Sequence, residues 1–191
     1  MRSSTRRRTI GVLLGTSLAA GPVLADCGPQ ALGTSRTLAL KRESAAYGRA
    51  QHRALPLEAG EVVITFDDGP RSESTPRVLK ALQEQCVLAT FFMNGDPLVR
   101  NGELAQRVRG EGHSVAQGIT VMSVDAGIDD WLPEQTPQML ADRLVDRLQR
   151  SGGGIVLLHD AQDQTAQALP LLLDTLKERG YRVVHLEWEG S

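Results

Sequence analysis

Short apolar runs alternate with amphipathic segments along residues 61–191, and this alternation is the strongest constraint on the fold. The first run, at 61–66, is apolar and β-branched, as in a strand that is buried on both faces. Thr75-Pro76 then supplies an N-cap and a proline for the first turn of a helix. Strands separated by helices build βαβ units, so the sequence predicts an α/β protein with a parallel sheet, open or closed into a barrel.

The later elements follow the same order. Strands are predicted at 87–93, 114–116, 119–124, 155–158 and 182–186, and helices at 75–85, 103–109, 136–150 and 165–179. Residues 26–60 are polar, with scattered glycine and proline, and are predicted to form an irregular N-terminal arm over the domain at 61–191.

One junction breaks this order. The predicted strands at 114–116 and 119–124 are separated only by Gln117-Gly118, whereas a parallel crossover needs a dozen or more residues. The two runs are therefore one continuous strand, a hairpin, or the two sides of a missing block.

The first 25 residues have the features of a secretory signal peptide. Residues 1–9 are basic and contain no acid, residues 10–20 form an apolar run too short to span a bilayer, and a small residue ends the segment at 23–25. We therefore expect an exported protein, periplasmic or extracellular, with the Sec and twin-arginine routes both open. The alternative is a first helix of the fold. No later apolar run reaches transmembrane length, so no membrane partner is expected after cleavage.

The sequence contains two cysteines, Cys27 and Cys86. Because an exported domain folds in an oxidising compartment, we expect a disulfide that joins the mature N-terminus to the domain. Metal binding by two isolated cysteines is the alternative.

The charge of the chain argues against one class of partner. Beyond residue 25 the sequence has 17 basic and 23 acidic residues, a net charge of −6, and no run of lysine and arginine. Such a domain lacks the positive surface that a nucleic-acid backbone requires, so no nucleic-acid partner is expected.

Acidic and imidazole side chains follow several predicted strands. Asp67-Asp68 follows the strand at 61–66, Asp129-Asp130-Trp131 follows the strand at 119–124, and His159-Asp160 follows the strand at 155–158. Reacting groups of parallel α/β folds lie on loops at these carboxyl ends. One of two adjacent carboxylates can bind a cation while the other acts as a base, and an imidazole transfers protons near neutral pH. Solvated turns are the alternative for each segment.

Together these segments resemble one family. The motifs are TFDDGP at 65–70, ATFFMNG at 89–95, EGH at 111–113, DW at 130–131 and LLHD at 157–160. They are similar, in this order, to motifs of polysaccharide deacetylases of the NodB-homology type, carbohydrate esterase family 4. The resemblance runs from about residue 61 to the C-terminus. It implies a NodB-type distorted (β/α) barrel and the metal-dependent removal of N-acetyl groups from a glycan of chitooligosaccharide or peptidoglycan type.

The resemblance also implies roles for individual residues. The family holds a divalent metal, usually zinc, with one aspartate and two histidines, and Asp68 matches the aspartate. Asp67 matches the general base that deprotonates the metal-bound water. His159 matches the general acid that protonates the departing amine. Asp130 and Trp131 match the motif that tunes and walls the site.

At Gln117/Gly118 the sequence departs from the family pattern. Family members continue there with a motif that supplies both histidine ligands, and later with an arginine-proline motif, whereas this chain passes directly to the next predicted strand. About two βα units are therefore expected to be missing, which leaves the barrel incomplete. An ungapped alignment places Gly118 and Met122 at the histidine positions, and neither side chain binds zinc as an imidazole does.

Three further histidines lie outside the matched motifs. His113 is predicted to be a packing residue, and His52 and His185 are predicted to be solvated. We therefore expect weak zinc binding and a deacetylase with little turnover. The alternative is a non-catalytic protein, either a glycan-binding pseudoenzyme or the remnant of a damaged gene. A barrel that lacks two units also exposes strand edges, which predicts self-association.

Overall fold

The computed structural model describes residues 27–41, 46–49, 52–116 and 121–189. The predicted signal peptide at 1–25 and the junction at Gln117/Gly118 lie outside these residues. The strands in the described part are β1 (Thr34–Leu40), β2 (Ala46–Tyr47), β3 (Glu61–Asp67), β4 (Thr90–Phe92), β5 (Ser114–Val115), β6 (Val121–Met122), β7 (Ala126–Gly127), β8 (Gly154–His159) and β9 (Arg182–Trp188). The helices are α1 (Thr75–Glu84), α2 (Gly95–Arg100), α3 (Gly102–Gly110), α4 (Pro137–Ser151) and α5 (Asp163–Glu178).

The main sheet has seven strands, and its pairs are parallel. β8 pairs with β3 along one side, while β9 and β4 share the other side, near the start and the end of β3 respectively. β1 extends the sheet beyond β9, β5 beyond β4, and β7 beyond β8. The sheet does not close on itself within the described residues. The predicted parallel α/β fold is therefore confirmed, and the open sheet agrees with an incomplete barrel.

Both faces of the central strand β3 are buried, as its apolar sequence predicts. Val62, Ile64 and Phe66 pack into a core that includes side chains of α1, α4 and α5. Val63 belongs to a second core on the opposite face, together with Ile155 of β8 and side chains of β9. Because both of its faces are packed, β3 gives the residues at its carboxyl end a rigid position.

Local signals at the ends of α4 agree with its observed bounds. The Thr136 side chain accepts a hydrogen bond from the backbone N–H of Met139 at 3.2 Å, and Pro137 is the first helical residue. Gly152 ends the helix in the left-handed conformation, with a φ of 70°. The buried leucines at 140, 144 and 148 recur at the spacing of one helix face and attach α4 to the core.

Several elements differ from prediction. The irregular structure predicted over 26–60 is wrong for Thr34–Leu40, which forms β1 against β9, and for Ala46–Tyr47, which forms β2 against β6. The first four residues of β1 are polar, so the sequence lacks the apolar run that would mark a strand. The strand predicted at 119–124 is wrong beyond β6, because the chain forms the separate strand β7 only at Ala126–Gly127. The short helix α2 was not predicted, since Gly95 and Pro97 are poor helix formers.

No helix in the described ranges combines the length and the apolar character needed to cross a bilayer.

A disulfide joins Cys27 to Cys86, as expected. It connects the segment before β1 to the turn that follows α1, across a sequence separation of 59 residues. The bond therefore closes a long loop and holds the start of the described chain against the domain.

Replacing both cysteines by serine is expected to lower the free energy of unfolding by about 4 kcal/mol, because the unfolded chain regains the freedom of a long loop. Urea unfolding of the oxidised protein and of the variant measures the difference. Reduced wild-type protein is the control and should unfold at the same urea concentration as the variant. Equal midpoints for the oxidised protein and the variant would show that the disulfide does not stabilise the fold.

Two histidines are buried. His113 is 6% exposed and His185 is 2% exposed, so the prediction that His185 is solvated is wrong, because neighbouring elements cover β9. Nδ1 of His113 accepts a hydrogen bond from the backbone N–H of Ala89, whereas neither ring nitrogen of His185 has a hydrogen-bond partner in the described structure. Burial lowers the pKa of each ring to about 4. His52 is exposed, as predicted.

The lowered pKa values link folding to pH. Between the ordinary pKa of 6.5 and about 4 the unfolded chain binds more protons than the folded chain, so stability present above pH 6.5 is lost as the pH falls. Asp67 and Asp160 have the opposite effect on stability as the pH falls. Their pKa values are raised to about 6, so the folded chain binds these protons before the unfolded chain does. The informative quantity is therefore the difference between the wild type and a histidine variant.

When the pH is lowered from about 7.5 to about 5, we expect the free energy of unfolding of His185→Phe to fall by about 2 kcal/mol less than that of the wild type. The reason is that phenylalanine cannot bind the proton. Urea unfolding at both pH values measures the two losses. His52→Phe is the matched control and should show the wild-type loss. Equal losses for wild type and His185→Phe would contradict a buried, neutral His185.

Candidate active site

The carboxyl ends of β3, β4 and β8 bring predicted site residues together. Asp67 is the last residue of β3 and pairs in register with His159 of β8 on one side and Phe92 of β4 on the other. A cavity of about 170 Å³ lies at these strand ends and is lined by Asp67, Asp68, Phe92, Met93, Asn94 and Ala116. The candidate acid, the candidate base and the candidate metal ligand are therefore neighbours.

Asp130 holds His159 in one orientation. The Asp130 carboxylate is fully buried and accepts three hydrogen bonds, from Nδ1 of His159 at 2.8 Å, from the His159 backbone N–H at 2.7 Å and from the Thr165 hydroxyl at 2.5 Å. Because an ionised carboxylate only accepts hydrogen bonds, the proton of this contact lies on Nδ1. Nε2 is then left 4.0 Å from Oδ2 of Asp68. The hydrogen bond to Asp130 raises the pKa of His159, which suits the ring to donate a proton.

Asp67 has the electrostatic environment of a base. Burial raises the pKa of its carboxyl to about 6, the nearby His159 opposes this shift, and the charges of Asp68 and Asp130 add to it. A carboxylate with a pKa closer to neutrality holds a proton more firmly and is a stronger general base than an ordinary aspartate.

Asp68 is held apart from Asp67 by the backbone. Its φ of 72° lies in the left-handed region, where aspartate and asparagine occur more often than other non-glycine residues. The Asp68 side chain is 51% exposed, and Oδ1 accepts a hydrogen bond from Nδ2 of Asn94 at 2.9 Å. The two adjacent carboxylates therefore have different environments, one half-buried and one exposed. The contribution of Asn94 was not predicted, although the residue lies within the ATFFMNG motif.

Asp160 connects the loop after β8 to the loop after β3. Its side chain is buried, Oδ2 accepts a hydrogen bond from the Thr75 hydroxyl at 2.5 Å, and its backbone carbonyl accepts one from the Ser74 hydroxyl at 2.5 Å. The backbone of Gly69 passes so close that a Cβ at this position would lie 2.1 Å from Oδ2 of Asp160. Burial raises the pKa of Asp160 to about 6. Glycine at 69 therefore permits the close approach of the two loops.

Trp131 follows Asp130 in the chain and is 57% exposed. Its large ring presents apolar surface to solvent, which a bound ligand could cover. Its role as a wall of the site stays a prediction.

The described residues do not fit the zinc site that the resemblance implies. Catalytic zinc takes three protein ligands and a water molecule, and no three histidine, cysteine, aspartate or glutamate side chains in the described ranges form a group that could hold a metal ion. His159 lies beside Asp68, but its Nδ1 is occupied by Asp130. His113 and His185 are buried in the domain and His52 is exposed.

Comparisons with known proteins agree with this fold. Residues 55–118 match the family model of polysaccharide deacetylases. The peptidoglycan-N-acetylglucosamine deacetylase PgdA of Listeria monocytogenes is 25% identical over 183 residues, which cover 66% of this chain and 38% of that protein. This chain therefore spans well under half the length of that relative.

Solved structures show the same fold. The Bdellovibrio bacteriovorus peptidoglycan deacetylase Bd3279 superposes with a TM-score of 0.71 at 24% identity, over 84% of this chain and 61% of that chain. A mutant of BA3943, described as a CE4 family pseudoenzyme with restored enzymatic activity, superposes with a TM-score of 0.58 at 21% identity, over 69% and 67% of the two chains. The fold is thus that of carbohydrate esterase family 4. The chain thus has the fold of these deacetylases, and residues 55–118 are similar in sequence to their family.

We expect Asp130→Asn to lower the pKa of His159, because the ring loses the negative partner that favours its charged form. The chain has four histidines, so their C2–H proton signals can be followed individually by NMR during a pH titration. The signals of His113 and His185 are the internal controls and should titrate as they do in the wild type. An unchanged His159 titration in the variant would show that Asp130 does not set the charge of the ring.

Gly69→Ala is expected to destabilise the protein by about 1–3 kcal/mol, because the added methyl group meets the buried Asp160 carboxylate. Gly110→Ala is the matched control, since no atom lies within 4 Å of a Cβ at that position. In a double-mutant cycle, Asp160→Ala should relieve part of the cost of Gly69→Ala. Additive effects of the two substitutions would contradict a steric clash between these residues.

Proposed function

We propose that this protein binds N-acetylated glycans at the ends of β3 and β8, and that efficient metal-dependent deacetylation has been lost. The observation that carries the proposal is the register that places Asp67 beside His159, next to an Asp68 around which the described residues form no group of metal ligands. Metal-dependent deacetylation needs both a pair of proton-transfer groups and a bound metal. Binding of the sugar and its acetamide group does not need the metal.

The remaining groups can move protons but cannot polarise the acetamide. Asp67 is placed to accept a proton and His159 to donate one, as the family roles imply. In family members the metal supplies the electrophile that stabilises the oxyanion of the tetrahedral intermediate, a contribution of several kcal/mol. Without a replacement for that electrophile, attack on the amide is expected to be slow.

The comparisons support both parts of this proposal. The named relatives are peptidoglycan deacetylases, which favours an N-acetylated glycan as the ligand. The likeness to a CE4 protein described as a pseudoenzyme supports a member of this fold that has lost its activity. The Cys27–Cys86 disulfide supports export to an oxidising compartment, where such glycans occur.

The test compares zinc binding, turnover and glycan binding in one preparation. After dialysis against zinc, we expect much less than one zinc per chain, and no zinc-dependent release of acetate from N-acetylated chitooligosaccharides or peptidoglycan fragments. NMR titration should nevertheless show that these glycans shift the His159 signal. Atomic absorption measures zinc, and proton NMR measures acetate.

Asp68→Ala is the matched control for turnover, because it removes the remaining candidate ligand. Zinc-dependent release by the wild type that is absent in Asp68→Ala, with one zinc per chain, would identify an active deacetylase and overturn the proposed loss of activity. Release that persists equally in the variant would come from a contaminant. Absence of any glycan-induced shift would contradict the proposed binding.

A further inference from the structure

A second, larger cavity adjoins the candidate site. It has a volume of about 620 Å³ and lies between the loop that follows β3, helix α2 and the loop that follows β8. Asp68 and Asn94 line both this cavity and the smaller one at Asp67. The two spaces are therefore neighbours, and one glycan with more than one sugar unit can contact both.

Two arginines line this larger cavity. Arg71 and Arg100 are exposed, and neither guanidinium forms an ion pair with a described residue. Two acids, Asp68 and Glu73, line the same cavity. A hydrogen bond from the Ser72 hydroxyl lowers the pKa of Glu73, and the charge of Arg71 contributes to this shift. Because both arginines are exposed and neither is held in an ion pair with a described residue, each guanidinium group can contact an anionic ligand.

The wall that carries Arg100 is held in place. Nδ2 of Asn101 donates hydrogen bonds to the backbone carbonyls of Pro70 at 3.0 Å and Pro97 at 3.2 Å. These contacts join the end of α2 to the loop that carries Arg71. These contacts hold the backbone at Arg71 and at Arg100 in a fixed relation, whereas the two side chains themselves are long and exposed.

We propose that the larger cavity binds the carboxylate of an acidic N-acetylated glycan, with Arg71 and Arg100 as the anion-binding residues. Guanidinium groups recognise carboxylates through paired N–H donors. A neutral chitooligosaccharide offers no group of this kind, whereas a glycan of peptidoglycan type carries carboxylates on its lactyl ethers and peptide stems. This inference rests on the proposed glycan binding and narrows the class of ligand.

The experiment measures binding rather than turnover, so that it does not depend on the metal. Three probes of equal glycan length are titrated into the protein by NMR: N,N′-diacetylchitobiose, N-acetylglucosaminyl-N-acetylmuramic acid, and the same acidic disaccharide with a dipeptide stem. We expect both acidic disaccharides to bind about fivefold to tenfold more tightly than the neutral one, as two exposed charge contacts allow. Comparing the two acidic probes separates the lactyl carboxylate from those of the stem.

The variant Arg71→Gln/Arg100→Gln should lose this preference and keep the affinity for the neutral disaccharide. The control Lys80→Gln/Arg150→Gln removes the same charge from exposed positions on α1 and α4 and should keep the preference. Raising the NaCl concentration from about 0.05 M to about 0.5 M should weaken only the acidic probes.

The remaining outcomes show which of the two proposals, glycan binding or the anion-binding residues, is wrong. Equal affinity for neutral and acidic disaccharides would overturn the anionic site and leave the proposed glycan binding intact. A preference for acidic probes that survives in Arg71→Gln/Arg100→Gln would show that other residues recognise the carboxylate, which overturns this assignment. Failure of all three disaccharides to bind would overturn both proposals.

Discussion

The parallel pairing of β3 with β8 is the constraint on which the site depends. Its register places Asp67 opposite His159, and both strands are packed on their two faces, so neither residue can shift without disturbing the core. Side chains at the carboxyl ends of parallel strands are held in this way because the sheet supplies the position and the loops supply the chemistry. The rest of the site is built outward from this pair.

Two buried carboxylates extend that rigidity into the loops. Asp130 accepts a hydrogen bond from Thr165 in the first turn of α5, and Asp160 accepts one from Thr75 at the start of α1. In each case a loop at the end of the sheet is bound to the N-terminal turn of a helix, where unpaired N–H groups favour negative charge. A buried carboxylate costs free energy unless it is well paired. Asp130 meets this condition with three donors, and its geometry accounts for the fixed orientation of His159.

Much of the fold was predictable because its signals are local. A run such as the one in β3 has no polar face, so its sequence indicates burial on both sides, and capping residues such as Thr136 set the helix bounds. The edge strand β1 could not be recognised in the same way, since its alternate residues face solvent and its pairing with β9 joins distant parts of the chain. The burial of His185 likewise depends on what covers β9. In the site, Asp67, Asp130 and His159 followed from their places at strand ends, whereas the contacts of Asn94 and Thr165 depend on tertiary approach.

The two halves of a metal-dependent deacetylase site come from different parts of the chain, and this explains how one can persist without the other. The proton-transfer groups belong to β3, β8 and the loop before α4, and the fold needs these elements for its core. The histidine ligands that the resemblance implies belong to a separate motif, which family members carry after the position of Gln117. The side chains of Asp67 and His159 are chemically suited to hold an acetamide group. The ionised Asp67 carboxylate can accept a hydrogen bond from the amide N–H, and the protonated His159 ring can donate one to a carbonyl. Hydrogen bonds of this kind stabilise a bound ligand, but hydrolysis needs stronger stabilisation in the transition state than in the bound state. A site that has Asp67 and His159 but no metal electrophile is therefore expected to bind the glycan and to hydrolyse its acetamide group slowly.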